Sequence, residues 1–125
     1  MKMHRISIKP YSVNELINPK KHTRQQYRLY LAKIISMMPR LYVSKTKRVS
    51  LFIRFAFATE LSDIDNPLKG FIDGLQAKYG FNDKLVYWLT VEKVVVGRGN
   101  EYIEFAIKQK LSIKERILKV FYELR

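Results

Sequence analysis

The chain has 125 residues, enough for one domain and too few for two. It contains no cysteine, which excludes a disulfide framework, thiolate zinc sites and cysteine nucleophiles. Its 24 Lys and Arg against 11 Asp and Glu give a net charge of +13. That charge favours nucleic acid as partner over an acidic membrane surface, since no basic amphipathic helix with a broad apolar face opens the chain. No long apolar stretch follows Met1–Arg5, so the expectation is no signal peptide, no membrane span and an intracellular location.

In chain order, the first strand is predicted over 3–9, where Ile6 and Ile8 alternate with Arg5, Ser7 and Lys9 before Pro10 ends it. A polar loop follows through Tyr11, Ser12, Asn14, Asn18 and Pro19. The first helix is predicted over 22–38, because Tyr27, Tyr30, Leu31, Ile34, Ile35 and Met38 recur at three- and four-residue spacing. Pro39 stops it, and a basic loop runs from Arg40 to Arg48. The second strand is predicted over 49–58, with Val49, Leu51, Ile53, Phe55 and Phe57 on one face.

The second helix has Asn66 as its expected N-cap, Pro67 in its first turn and Gly80 as its stop. Leu68, Phe71, Ile72 and Leu75 make its apolar stripe, with Lys69, Asp73 and Gln76 on the other side. Gly70 and Gly74 inside it imply a close packing contact, since glycine costs up to about 1 kcal/mol relative to alanine in a helix interior. Strands over 85–96 and 101–108 are joined by Gly97-Arg98-Gly99-Asn100, which reads as a hairpin turn. The last helix, predicted over 112–124, opens with a capping box of Ser112 and Glu115. Trp88 and the tyrosines are assigned to core packing, and His4 and His22 stand in no metal-ligand spacing. The order β-α-β-α-β-β-α predicts one α+β domain over 1–125, a four-stranded mixed sheet with helices packed on one face.

All four aspartates, Asp63, Asp65, Asp73 and Asp83, fall between positions 63 and 83. A protein that only gripped a phosphate backbone would gain little from clustered acids, since phosphate and bare carboxylate repel. A divalent cation between them reverses that sign. If the chain is extended at 63–65, both carboxylates project to one side with Cα atoms about 6.6 Å apart. Mg²⁺ or Mn²⁺ takes such oxygens together with phosphate oxygens and can promote phosphodiester cleavage. Lys69, a turn further on, would offset charge on the phosphate. The same residues also read as ordinary helix-start chemistry: acids and an asparagine cap at the positive end of a helix. Spacing alone does not separate the two readings. Asp73 reads as a surface pair with Lys69.

The segment Asp63-Ile64-Asp65-Asn66-Pro67-Leu68-Lys69, with Asp73-Gly74-Leu75 and then Gly80-Phe81-Asn82-Asp83-Lys84-Leu85-Val86, resembles the RusA family of Holliday-junction resolvases. The shared pattern is Asp-x-Asp-Asn, a lysine four residues after the second aspartate, Asp-x-Leu on the same helix, then Gly-Phe and an acidic turn entering a strand. The motif covers 63–86, and the element order extends the likeness to most of the chain. The resemblance implies a homodimer that recognises four-way DNA junctions and nicks paired strands with Mg²⁺, for which Mn²⁺ can substitute, and with no small-molecule cofactor. It implies that Asp63, Asp65 and Asp83 hold the metal and that Lys69 is needed for cleavage. The chain departs from the family in having Asn82-Asp83 where an acidic pair is usual, and the helix over 112–125 has no family counterpart. A bacterial, prophage or phage origin would suit a nuclease of this kind.

Lys20, Lys21, Arg24, Arg28, Lys45, Lys47, Arg48 and Lys69 are the expected DNA-backbone contacts. Two other functions compete. One is a non-catalytic basic nucleic-acid-binding protein whose aspartates only cap a helix. The other is a nuclease on other branched or single-stranded DNA.

Overall fold

The patterns fold as β1 (His4–Ile6), α1 (Lys21–Met37), β2 (Val49–Phe57), α2 (Leu68–Tyr79), β3 (Val86–Val95), β4 (Tyr102–Lys108) and α3 (Ile113–Glu123). A 3-10 turn, Asp83–Leu85, leads into β3. The computed structural model describes residues 2–10 and 21–124, with backbone alone for 21–23. The expected loop at Tyr11–Pro19, Lys20 and the Lys21 side chain lie outside the described residues.

The four strands form one mixed sheet in the order β1-β4-β2-β3, as the α+β reading expects. β2 is central, antiparallel to β4 and parallel to β3. β1 closes one edge against β4 and is shorter than predicted: its pairing stops at Ile6 opposite Ile103, one residue from the end of β4. The hairpin expected at Gly97–Asn100 is not one. β3 and β4 lie on opposite sides of β2, so this segment crosses over the end of β2, where Val96 N–H donates to the Phe57 carbonyl. Its glycines do turn the chain, with φ of 88° at Gly97 and 92° at Gly99.

Alternation along β2 turns Val49, Leu51, Ile53 and Phe55 to the covered face, where all four are buried. They meet Ile34 of α1, Met38 just after its end, and Phe71 and Leu75 from α2. Phe71 stands edge-on to Phe55 at 6.0 Å and to Phe105 at 5.7 Å, locking α2 to two strands. Trp88 is not in this core: it pairs with Ser50 on the uncovered face of the sheet, and both it and Tyr87 are exposed on β3, an edge strand. The capping box at Ser112–Glu115 forms as expected. α3 buries none of its residues, and Arg40 holds its far end, donating to the Tyr122 carbonyl and lying over the Tyr122 ring.

The two helix glycines face α1. A Cβ on Gly74 would stand 2.5 Å from Cδ1 of the fully buried Ile34, whereas one on Gly70 would meet Tyr27 at 3.3 Å. Overpacking costs about 1–3 kcal/mol, against a gain of up to about 1 kcal/mol from helix propensity. Gly74→Ala is therefore expected to lower stability and Gly70→Ala to leave it nearly unchanged, as read by urea unfolding of the two proteins.

The opposite face carries an ion network. Arg54 donates to Glu92 at 2.7 Å and to Glu104 at 2.7 Å, and Arg5 donates to the other Glu104 oxygen at 3.2 Å. Burial alone would raise the Glu104 pKa, but hydrogen bonds from Arg54 and Arg5 outweigh it and hold it below the usual carboxylate value. A depressed folded pKa stabilises the protein above the unfolded value and loses that contribution as pH falls through the folded one. Glu104→Gln is expected to cost about 1–3 kcal/mol near pH 7, a charge-assisted bond's worth. The gap to wild type should close below about pH 4, and urea unfolding at both pH values checks it.

Candidate active site

β2 and β3 run parallel, so their carboxyl ends point the same way, and in open sheets ligands bind outside such ends. Beyond Phe57 the chain makes a series of bends and turns before α2 begins, and this loop carries Asp63 and Asp65. It is not the extended segment expected at 63–65. Asn66 N–H donates to the Asp63 carbonyl and Leu68 N–H to the Asp65 carbonyl, two overlapping turns that each keep their ends within about 7 Å.

α2 starts one residue later than expected, with Pro67 in the capping position and no side chain capping it. The expected Asn66 cap does not form. The Asp63 and Asp65 carboxylates are exposed, and among the described residues neither accepts a hydrogen bond nor joins an ion pair. They are not spent on starting the helix. The loop is pinned instead by Lys93 of β3, whose ammonium donates to the carbonyls of Glu60 (2.7 Å) and Ser62. Lys93 gave no functional signal in the sequence, because the contact depends on which loop folds back over β3.

A cleft of about 520 Å³ opens at this end of the sheet, with Lys9, Phe57, Ser62, Asp63, Asn66 and Arg98 in its wall. A larger one, about 590 Å³, lies by α3 and contains no aspartate. Lys69 is exposed on the first turn of α2 and has no ion-pair partner among the described residues. The expected Lys69–Asp73 pair is absent, because Asp73 turns toward α1 and accepts a 2.6 Å hydrogen bond from the Tyr27 hydroxyl. Burial, and then that bond, raises the Tyr27 pKa and keeps its proton on the phenol.

α1 runs alongside α2 in the same direction, since Tyr27 lies by Gly70, Ile34 by Gly74 and the Pro39 carbonyl by Tyr79. Exposed Arg24 and Arg28 therefore sit toward the Lys69 end of the pair. Lys45, Lys47 and Arg48 lie toward the other end: Lys45 beside Gly80, Lys47 3.9 Å from Glu115, and Arg48 over the Tyr87 ring.

Asp83 is also exposed and belongs to that other end. It precedes β3, whose first residue, Val86, pairs with Val49 at the start of β2. Within one chain Asp63, Asp65 and Lys69 thus lie in the loop before α2 and on its first turn, while Asp83 stands apart from them at the start of β3. Among the described residues no group of three or more His, Asp or Glu is placed to hold a metal ion. Asp63 and Asp65 alone still fit Mg²⁺, which is commonly held by one or two carboxylates with substrate phosphate and water completing its shell.

Unspent carboxylates beside unpaired cations, at the carboxyl end of a sheet in a strongly basic protein, are the makings of a nuclease site. A family model described as endodeoxyribonuclease RusA matches residues 8–107, and the chain belongs to that family. It is therefore an endodeoxyribonuclease of the Holliday-junction resolvase kind, acting on branched DNA in recombination. α3 lies beyond the matched residues. No curated protein matches the chain. Among the described residues no helix is long and apolar enough to cross a membrane.

Proposed function

We propose that this chain resolves four-way DNA junctions as a homodimer by divalent-metal-dependent nicking of paired strands, with Asp63, Asp65 and Asp83 as metal ligands. One observation carries the reading: Asp63 and Asp65 sit in tight turns at the head of α2 with both carboxylates uncommitted, where a capping role would have engaged them. A cation held there supplies Lewis acidity to phosphodiester hydrolysis. Asp63 and Asp65 present the hard oxygens that orient it. Lys69 reaches the same space from the first turn of α2 and lowers the cost of gathering negative charge on the phosphate. Arg24 and Arg28 hold the DNA backbone on the same side, Lys45, Lys47 and Arg48 extend the contact, and Lys20 and Lys21 belong to the same proposed set of backbone contacts.

The test is cleavage of a synthetic four-way junction beside a linear duplex of the same sequence, in Mg²⁺, Mn²⁺ and chelator, by wild type and Asp65→Asn. Paired nicks on the junction alone, lost in chelator and in Asp65→Asn while binding persists, are expected. Salt-sensitive binding with no cutting in either metal would leave a basic architectural protein. Equal cutting of flapped or single-stranded DNA would move the substrate class.

A further inference from the structure

We propose that α3 is a docking helix: its outward apolar stripe enters a groove on a second, acidic protein and ties the nuclease to it while the aspartate loop stays open to DNA.

The first observation is that α3 is mounted the reverse of the usual way. A surface helix ordinarily turns its apolar stripe to the core and its charges to water. In α3 the residues turned to the body are charged. Glu115, Lys119 and Glu123 recur every four positions and are its least exposed residues, the two glutamate side chains being 18% and 27% exposed. They are used there. Glu115 lies 3.9 Å from Lys47, and Glu123 accepts from the Tyr42 N–H at 2.9 Å and from Lys119. At about 3.6 residues per turn, Ile113, Ile117, Val120, Phe121 and Leu124 fall on the opposite side, and each is more than half exposed.

The second observation is the spacing of that stripe. Ile117, Val120, Phe121 and Leu124 stand at i, i+3, i+4 and i+7, the pattern by which one helix face enters an apolar groove. A contiguous apolar patch with a charged rim marks a site of association.

Charge selects the occupant. Lys114 borders the stripe on one side and Arg116 on the other, both exposed and without an ion-pair partner among the described residues. The two acids of α3 face inward, so neither borders the stripe. An acidic rim around the receiving groove complements this arrangement and fixes its register. A second copy of α3 would set Lys114 and Arg116 against the same cations, in a chain of net charge +13. Helices that lie on lipid carry a polar face rich in lysine and arginine. Here that face holds two glutamates and is used against the body.

The place of α3 leaves the nuclease site free. α3 follows β4, whose Lys108 pairs with Ser50 at the start of β2, whereas Asp63 and Asp65 follow the other end of β2. The nine residues of β2 set those ends about 26 Å apart at 3.3 Å per residue. α3 also lies outside residues 8–107, the part of the chain that the family shares.

The test uses a labelled synthetic helix with leucine at i, i+3, i+4 and i+7 and glutamate elsewhere, titrated with the full chain at about 0.15 M salt. Binding is expected, with amide exchange slowed in α3 and unchanged elsewhere. Ile117→Ser combined with Phe121→Ser should weaken it about tenfold or more, the effect of losing a residue central to an interface. Lys114→Glu combined with Arg116→Glu should weaken it likewise. All four side chains are exposed, so both variants should keep the wild-type Tm. No binding at about 1 mM probe would overturn the proposal. Undiminished binding by the serine variant would overturn it too, since general charge would then hold the probe. So would equal binding of a probe with lysine in place of glutamate. Sedimentation with phosphatidylglycerol vesicles, abolished in the serine variant, would make the stripe a membrane contact instead. A lower oligomeric mass in that variant would make it a contact between copies. None of these readouts depends on metal or on cleavage.

Discussion

Replacing Lys69 by methionine is expected to slow junction cleavage about a hundredfold or more while changing junction affinity less than tenfold, since a group aimed at charge that develops in the transition state is worth about 10²–10³ in rate. Lys69 has two possible employments, and the structure removes one. On a helix surface it would ordinarily pair with Asp73 four residues later, but Asp73 is engaged by Tyr27 at 2.6 Å. The ammonium is left exposed, a turn beyond Asp65, with no acid to neutralise it among the described residues. Methionine keeps the length and apolar stem of lysine and removes the charge. Single-turnover rates on a junction with bound enzyme, set beside binding over a salt series, check the expectation. A uniform loss of affinity, with the salt slope smaller by about one and the bound-state rate unchanged, would make Lys69 only a phosphate contact.

Local pattern made most of the fold legible. Apolar residues every second position drew β2 and β4, the stripes of Ile34 and Met38 and of Phe71 and Leu75 drew α1 and α2, and Gly80, with φ of 76°, ended α2 as expected. The misreadings have a common cause, which is that local chemistry does not say what lies across the turn. Gly97 and Gly99 bend the chain at positive φ whether the next strand returns beside β3 or crosses β2. Trp88 has the composition of a core residue, but the register of β3 pairs it with Ser50 on the uncovered face. Asn66 followed by proline has the composition of a cap, yet the turns from Asp63 and Asp65 occupy that stretch and the helix begins a residue later.

The site was legible in the same measure. Asp63, Asp65 and Lys69 lie within seven residues, so their nearness along the chain is a local feature that spacing can announce. Asp83 depends on strand order and direction, which no local spacing encodes, and Lys93 depends on a loop folding back over β3. The family motif points to Asp83, while the direction of β3 relative to β2 sets it at the other end of the sheet from Asp63 and Asp65.

Phe71→Ala is expected to cost about 3–5 kcal/mol, the range for emptying a buried aromatic position, or a fall of about 10–20 °C in Tm for a domain of this size. Phe71 is fully buried between Phe55 of β2 and Phe105 of β4, so its loss leaves a cavity where α2 meets the sheet. Phe121→Ala on α3 is the control, because that ring is 67% exposed and its truncation should change stability by no more than about 0.5 kcal/mol. The comparison also reaches the chemistry. Phe71 stands two residues after Lys69, so on the proposed function the ring that anchors α2 sets the height of the lysine relative to a bound phosphate. Cleavage by Phe71→Ala is to be measured well below its own Tm, where the chain is folded. A slow rate with junction affinity intact would place the loss in the position of Lys69 relative to Asp65. A wild-type rate would mean that the head of α2 is held from the other side, by the turns at Asp63–Leu68 and the Lys93 contacts to Glu60 and Ser62, which the core substitution leaves untouched.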